Sequence, residues 1–238
     1  MRTELAIMMA SLLLGCGSAL PTYRPMEPQD AWGIVSERTL TIHAVSAEAD
    51  VTLTGADGPS MRVDAALVLA RPDRSRFRAW KVGYAVLDVT GDAGAIWFDA
   101  PDVSADRASG EDLGVAPAYL ARGLLLIPGW AYAGVQPIHA ERQLGRYLFE
   151  LPSPDGLVTC EVSVRTLVVL RWQMTNADAD TYTVELRKHC LVDGIPLAYD
   201  VVLRADDRSV RIRLRNVDLT SPPDPGVFTP PAGAVRMR

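Results

Sequence analysis

Three cysteines and three histidines are the residues of this chain whose types could carry covalent or metal chemistry. His43, His139 and His189 fall in separate predicted elements, with no pair four residues apart, so neither a metal site nor a nucleophile–base triad assembles from them. Gly91-Asp92-Ala93-Gly94 sits in a predicted hairpin rather than between a strand and a helix, where a phosphate loop or nucleophile elbow would need it. The expectation is a protein with no metal, no other cofactor and no catalysis. Cys160 shares the apolar register of its strand with Val158, Val162 and Val164, and Cys190 shares its own with Tyr182, Val184 and Leu186. They form either a disulfide or two buried thiols: a bond needs Cα atoms within about 7 Å, and a simple meander from Leu157 to Cys190 does not set them opposite each other. Cys16 stands apart from both.

Met1 to Gly15 has a charge-bearing start at Arg2, an apolar run from Leu5 to Leu14 and then small residues, the pattern of a secretory signal too short for a spanning helix of roughly 20 residues. Leu13-Leu14-Gly15-Cys16 resembles the lipobox of bacterial lipoproteins. That resemblance implies cleavage before Cys16 and acylation of its thiol and new amine, which would anchor the chain in a membrane through more than one acyl chain. Gly17, rather than aspartate, after Cys16 favours the outer membrane, facing the periplasm. Residues 16–28 contain Pro21, Pro25 and Pro28 without periodicity and read as a flexible tether. Residues 29–238 read as a single domain.

A composition of 48% hydrophobic and 22% charged residues fits an ordinary folded core, and 17 prolines and 18 glycines favour short strands over long helices. The net charge of -5 argues against nucleic acid as a partner. Gln29 to His43 is predicted as a first helix with Asp30 placed to cap, although Thr39 to Ile42 has strand composition. Asp50 to Thr54 and Ser60 to Leu69 read as strands around a turn at Gly55 to Gly58, the second alternating Met61, Val63, Ala65, Leu67 and Leu69 against Arg62 and Asp64. Arg71 to Pro101 reads as three strands with turns at Val82-Gly83-Tyr84 and Gly91 to Gly94. Pro101 to Gly110 reads as a loop, and Glu111 to Ile127 as a helix with Leu113, Leu120, Leu124 and Ile127 on one stripe. Six more strands follow: Gln143 to Leu151, Leu157 to Val164, Leu167 to Met174, Tyr182 to Cys190, Leu197 to Arg204 and Ser209 to Val217. Sequential antiparallel pairing is the simplest way to connect them.

Three local patterns, in this order along the chain, resemble the lipoprotein-sorting family of the Gram-negative envelope, the LolA/LolB-like proteins. Arg71-Pro72 with Arg76-Phe77-Arg78 resembles one strand start of that family. Gly91 to Pro101, GDAGAIWFDAP, resembles its hairpin. Val192 to Leu197, with Pro225-Gly226-Val227-Phe228-Thr229-Pro230-Pro231, resembles a later strand start and the tail. The resemblance implies an α+β, mostly β fold: a curved antiparallel sheet forming a half-open barrel, with helices packed on its concave side around an apolar cavity. It also implies a role for Arg71, because the family's carrier uses an arginine before that proline to hold a lid over its cavity. The family's receptor engages membrane through an exposed leucine in a loop; the nearest matching turn here, with Val82 and Tyr84, has none.

On that reading the ligand-binding candidates are Arg71, Phe77, Trp80, Trp97, Phe98, Leu120 and Leu124, and the membrane- or partner-contact candidates are Val82 and Tyr84. Aromatic residues most often mean core, and in a half-barrel core and cavity lining are one face. Arg211, Arg213 and Arg215 alternate with Val210, Ile212 and Leu214, which makes a solvated strand face that discourages edge pairing. The expected function is a lipid-anchored envelope protein that binds acyl chains, a lipoprotein or another apolar ligand by burial. The alternative is an envelope assembly subunit that docks other envelope proteins on its sheet.

Overall fold

The computed structural model describes residues 19–55, 60–100, 117–154, 156–176 and 181–237. The leader, Cys16, residues 56–58 of the first turn, the loop 101–110 and the first part of the second predicted helix lie outside these residues.

Helix α1, Pro28–Leu40, starts one residue before its predicted span, with Pro28 in the first turn where its missing N–H costs nothing. Asp30 therefore lies inside the first turn, favourable to the helix dipole, and is not the cap. The helix buries Ala31, Trp32 and Val35. Thirteen strands then form one sheet: β1 Ala44–Thr54, β2 Met61–Ala70, β3 Arg74–Lys81, β4 Tyr84–Asp92, β5 Ala95–Asp99, β6 His139–Gln143, β7 Arg146–Ser153, β8 Gly156–Ser163, β9 Val169–Asn176, β10 Thr181–Val192, β11 Ile195–Ala205, β12 Arg208–Asp218 and β13 Val235–Met237. Helix α2, Pro117–Leu125, links β5 to the far edge.

The spatial order is β13-β5-β4-β3-β2-β1-β12-β11-β10-β9-β8-β7-β6. Two sequential meanders, β1 to β5 and β6 to β12, thus lie side by side through the β1–β12 pair, and the sheet is antiparallel and not closed into a barrel. Strands β6 and β13 were not expected. The first is a short charged edge strand folded back on β7 through Leu144-Gly145, and the second exists by pairing with β5.

Two glycines show that the sheet curls. A Cβ on Gly91 of β4 would lie 3.9 Å from the Ala121 methyl of α2, and one on Gly123 of α2 would lie 2.3 Å from Leu203 Cδ2 on β11. Strands β4 and β11 are five steps apart in the sheet, about 24 Å if it were flat. A helix roughly 10–12 Å across reaches both only if the sheet wraps around it. Gly123 is needed because α2 approaches β11 too closely for a side chain, whereas at Gly91 the helix lies at ordinary contact distance and the tight neighbour is Ser75 Oγ of β3 at 2.7 Å.

The inner face carries one continuous core, with Val45, Leu67, Phe77, Val89, Phe149, Trp172, Val184 and Val201 all nearly or fully buried. Trp32 of α1 packs on Phe149 at 5.0 Å between ring centroids. The outer face is a ladder of ion pairs. Arg215 bridges Asp50 and Asp64 at 3.1 Å each, Arg211 clamps Asp200, Glu185 meets Arg187 and Arg204, and Glu161 meets Arg146 and Arg171. Arg211 and Arg215 are therefore paired on the strand face where the sequence places them. The Arg211 fork holds the buried Asp200 carboxyl below the usual carboxylate range. The exposed pairs among these contribute up to about 1 kcal/mol each and mainly keep the face wet.

Part of the segment read as a flexible tether is fixed. Tyr23 N donates to Arg165 O at 2.8 Å, and Met26 exchanges hydrogen bonds with the Tyr147 hydroxyl, donating from its N at 2.9 Å and accepting on its O at 3.0 Å. After β12 the tail crosses the outer face of β3 and β4. Its short 3-10 turn, Pro225–Phe228, buries Phe228 beneath the Arg74 guanidinium, and Arg76 donates to Val227 O at 2.7 Å.

Candidate functional site

Helix α2 has two apolar stripes. Leu120, Ala121 and Leu124 face the sheet and are buried. Tyr119, Arg122 and Leu125 face a pocket of about 450 Å³ that opens at the ends of β7 to β10. Its floor is Leu126, Val158 and Met174, and its rim is Ser153, Leu157, Thr175 and Tyr182. Tyr119 and Tyr182 stack across one side at 4.9 Å, and the Tyr182 hydroxyl reaches Met174 Sδ at 2.8 Å. Behind the floor, Trp172 Nε1 donates to Leu126 O at 3.0 Å and its ring stacks on Tyr132 at 5.4 Å. The pocket is mainly apolar with one guanidinium, Arg122, in its wall, and its volume lies in the range of about 300–1,000 Å³ typical of ligand sites.

The ligand-binding residues singled out from the sequence lie elsewhere. Phe77, Phe98, Leu120 and Leu124 are packed core. Trp80 pairs with Asp64, and Trp97 pairs with Thr90 beneath Arg236, so both tryptophans sit on the outer face. Arg71 Nη1 donates to Leu40 O at 3.0 Å, which ties the β2–β3 turn to the end of α1. Val82 and Tyr84 are 88% and 73% exposed at the β3–β4 turn. Val82 has a φ of 50°, a conformation costly for a β-branched residue, in a turn where asparagine or glycine would be the relaxed choice. The pocket was missed because Tyr119, Arg122 and Leu125 read as the second stripe of a helix. Nothing in the sequence says that β7 to β10 lie beneath it.

The cysteines match neither alternative, because only Cys160 of the two is a free buried thiol and Cys190 is half-buried. Cys160 is a free thiol, fully buried between Phe149 and Trp172, so Cys160 and Cys190 are not bridged. Cys190 pairs with Leu197 on a strand two places away from β8, about 10 Å across the sheet and beyond disulfide reach. Burial pushes the Cys160 thiol up, away from the reactive thiolate.

His189 faces a small gap of about 30 Å³ beneath α1 that Arg38 also lines. Burial lowers its pKa to about 4, against a hydrogen bond with the Val169 backbone that raises it, and the nearby Arg38 charge lowers it further. The folded chain therefore refuses a proton that the unfolded chain accepts below about pH 6.5. The stabilisation is fully present above that pH and is lost as the pH falls toward 4, by at most about 3 kcal/mol. Urea unfolding at pH 7 and 4.5 should show a drop that His189→Gln flattens; an equal drop in the variant would sink the assignment. Among the described residues no group of three His, Cys, Asp or Glu side chains is placed to hold a metal.

The sequence matches no protein-family model, and no curated protein matches it by sequence. Solved structures do match in fold. A LolA superfamily protein from Nitrosomonas europaea superposes with a TM-score of 0.59 at 12% identity, over 86% of this chain and 98% of that one. A DUF1329 family protein from Desulfovibrio piger gives 0.57 at 11%, over 86% and 98%. A protein domain from Vibrio parahaemolyticus described as outer membrane lipoprotein-sorting gives 0.55 at 12%, over 84% and 95%. With its open antiparallel sheet curled around two helices, the chain has the LolA-like fold.

Proposed function

We propose that this chain is a lipid-anchored envelope protein, acylated at Cys16 and facing the periplasm from the outer membrane, that takes an alkyl chain or another apolar segment into the pocket between α2 and β7 to β10. The observation that carries this is the pocket itself: about 450 Å³ of mainly apolar space beside an otherwise packed inner face. Two of the structures that match in fold, a LolA superfamily protein and one described as outer membrane lipoprotein-sorting, support the same class of ligand. Binding needs no catalysis, because each methylene taken out of water contributes about 0.8 kcal/mol. Arg122 gives the wall one cation that suits an anionic headgroup.

Uptake of a fluorescent fatty acid tests the reading, together with native mass spectrometry of membrane-extracted protein. Leu125→Trp should fill the pocket and weaken probe binding by about tenfold, roughly 1.4 kcal/mol, with thermal melting confirming that the variant is folded. A wild-type protein with no copurifying lipid and no probe uptake would end the proposal. Cys16→Ser should move the protein to the soluble fraction.

A second reading, docking of another envelope protein, is favoured by Val82 and Tyr84. They are exposed at the end of the strands to which the pocket also opens. A partner delivering or receiving cargo would meet both.

A further inference from the structure

Leu144 is the most exposed large apolar residue among those described, at 102% of its reference area. It sits at the apex of the β6–β7 turn, so its side chain meets solvent on every side. Three observations say what else is at that point. Val164 N donates to Gly145 O at 3.2 Å, which brings the β8–β9 turn against the tip. Tyr23 N donates to Arg165 O at 2.8 Å, which docks the N-terminal segment on that same turn. Pro25, Arg142 and Val164 share a shallow hollow with Leu144. Each of the three segments that meet at this apolar apex carries an exposed arginine, Arg24, Arg142 and Arg165.

The chain that leaves this point toward its N-terminus is short. Tyr23 lies seven positions after Cys16, a span of at most about 25 Å when fully extended. The Val82–Tyr84 turn and the pocket mouth are at the other end of the strands. Strand direction shows this: residue 146 begins β7 at the Leu144 end, whereas Ser153 and Gly156 meet at the pocket end. An eight-residue strand such as β7 runs about 26 Å.

We propose that the β6–β7 tip is the face on which the protein rests on an anionic phospholipid bilayer, with Leu144 inserted among the headgroups and Arg24, Arg142 and Arg165 over lipid phosphates. This rests on the lipid-anchor reading above, because the short link to an acylated Cys16 is what holds this end near the membrane. Charge complementarity selects the occupant: three exposed arginines on the segments that meet at a single apolar side chain suit an anionic interface, whereas a protein partner would need a flat apolar patch. Arg146 is excluded from this set because Glu161 already holds it at 2.7 Å, and Glu141 is turned to Gln143. In this orientation the pocket mouth and the Val82–Tyr84 turn point away from the bilayer, toward arriving cargo or partners.

The test uses the acylated protein reconstituted in vesicles of phosphatidylethanolamine with phosphatidylglycerol, carrying a polarity-sensitive fluorophore on Leu144→Cys or, for comparison, on Val82→Cys. The label at 144 should shift to the blue and be quenched by lipid-borne quenchers, while the label at 82 stays accessible to aqueous iodide. Arg142→Glu with Arg165→Glu should lower the membrane-buried fraction of the 144 label by about tenfold, on the anionic vesicles and not on purely zwitterionic ones. A 144 label that stays wet, or an 82 label that is buried instead, overturns the proposal, and so does a tip that gains protection only when a protein partner is added. The mass of the membrane-extracted chain separates the two claims. Without acylation the anchor reading fails, while a buried 144 label would still establish the docking face; with acylation and a wet label, the reverse holds.

Discussion

Replacing Trp172 with alanine is expected to lower the unfolding free energy by about 4 kcal/mol. The ring is 1% exposed and joins three parts of the fold. It lies on β9 between Cys160 of β8 and Val184 of β10, it stacks on Tyr132, and its Nε1 donates to Leu126 O just beyond α2. Gly129 also rests on it: a Cβ there would lie 3.7 Å from Trp172 Cζ2. Alanine would leave a cavity and a buried carbonyl without its donor, and it would loosen Leu126 and Tyr132, both pocket residues. Urea denaturation would measure the loss, and fatty-acid probe binding should weaken in parallel. Trp172→Phe should recover most of the packing but not the hydrogen bond, leaving a deficit of about 1 kcal/mol. A loss below about 1.5 kcal/mol in the alanine variant would show that the ring is not the keystone described.

The second large effect is expected at Asp88, where alanine should cost about 3 kcal/mol. Asp88 is 5% exposed although its strand position faces outward, because the C-terminal tail passes over it. Arg76 grips it with two hydrogen bonds, at 3.1 and 2.8 Å, and uses its remaining Nη1 to hold Val227 O. Arg78 approaches at 3.8 Å from the exposed side and adds little. Removing the carboxylate leaves a mostly buried guanidinium without its anion and undoes the aim of the group that fastens the tail. Hydrogen exchange should therefore quicken at Val235 to Met237, which pair with β5, before the sheet as a whole opens. Unchanged exchange there, with a cost below about 1 kcal/mol, would mean that the tail is held by Phe228 under Arg74 alone.

Both effects lie at contacts that a linear reading does not reach. The alternation of Met61, Val63, Ala65, Leu67 and Leu69 announces β2 because period-two burial is a local property, and the structure buries or half-buries that face. Gly83 and Gly94 announce their hairpins because glycine accepts a left-handed backbone, and both take positive φ; Val82 and Ala93 before them do so as well, against their own preference. The same alternation could have corrected the ligand candidates. With Phe77, Ala79 and Phe98 inside, Trp80 and Trp97 had to point outward, and only their size argued for a cavity. Strand β6 escaped notice because His139-Ala140-Glu141-Arg142-Gln143 has no apolar face to bury; it pairs at an edge, where charge protects against association.

By itself, then, the sequence determined what depends on neighbours in the chain: most of the strands and their turns, α1, the wet and dry faces of those strands, and through short ordered motifs the LolA-like fold. Only the tertiary structure decided what depends on distance across the sheet. It joined β1 to β12, curled the sheet until α2 touched strands five places apart, and separated Cys160 from Cys190. It also put Tyr119, Arg122 and Leu125 over Val158 and Met174 to leave a pocket, and set Leu144 beside the docked N-terminal segment. The physical reason is that periodicity fixes which face a residue lies on but not which strand lies beside it. The pocket and the exposed β6–β7 tip are both made of neighbours that the chain brings together from far apart.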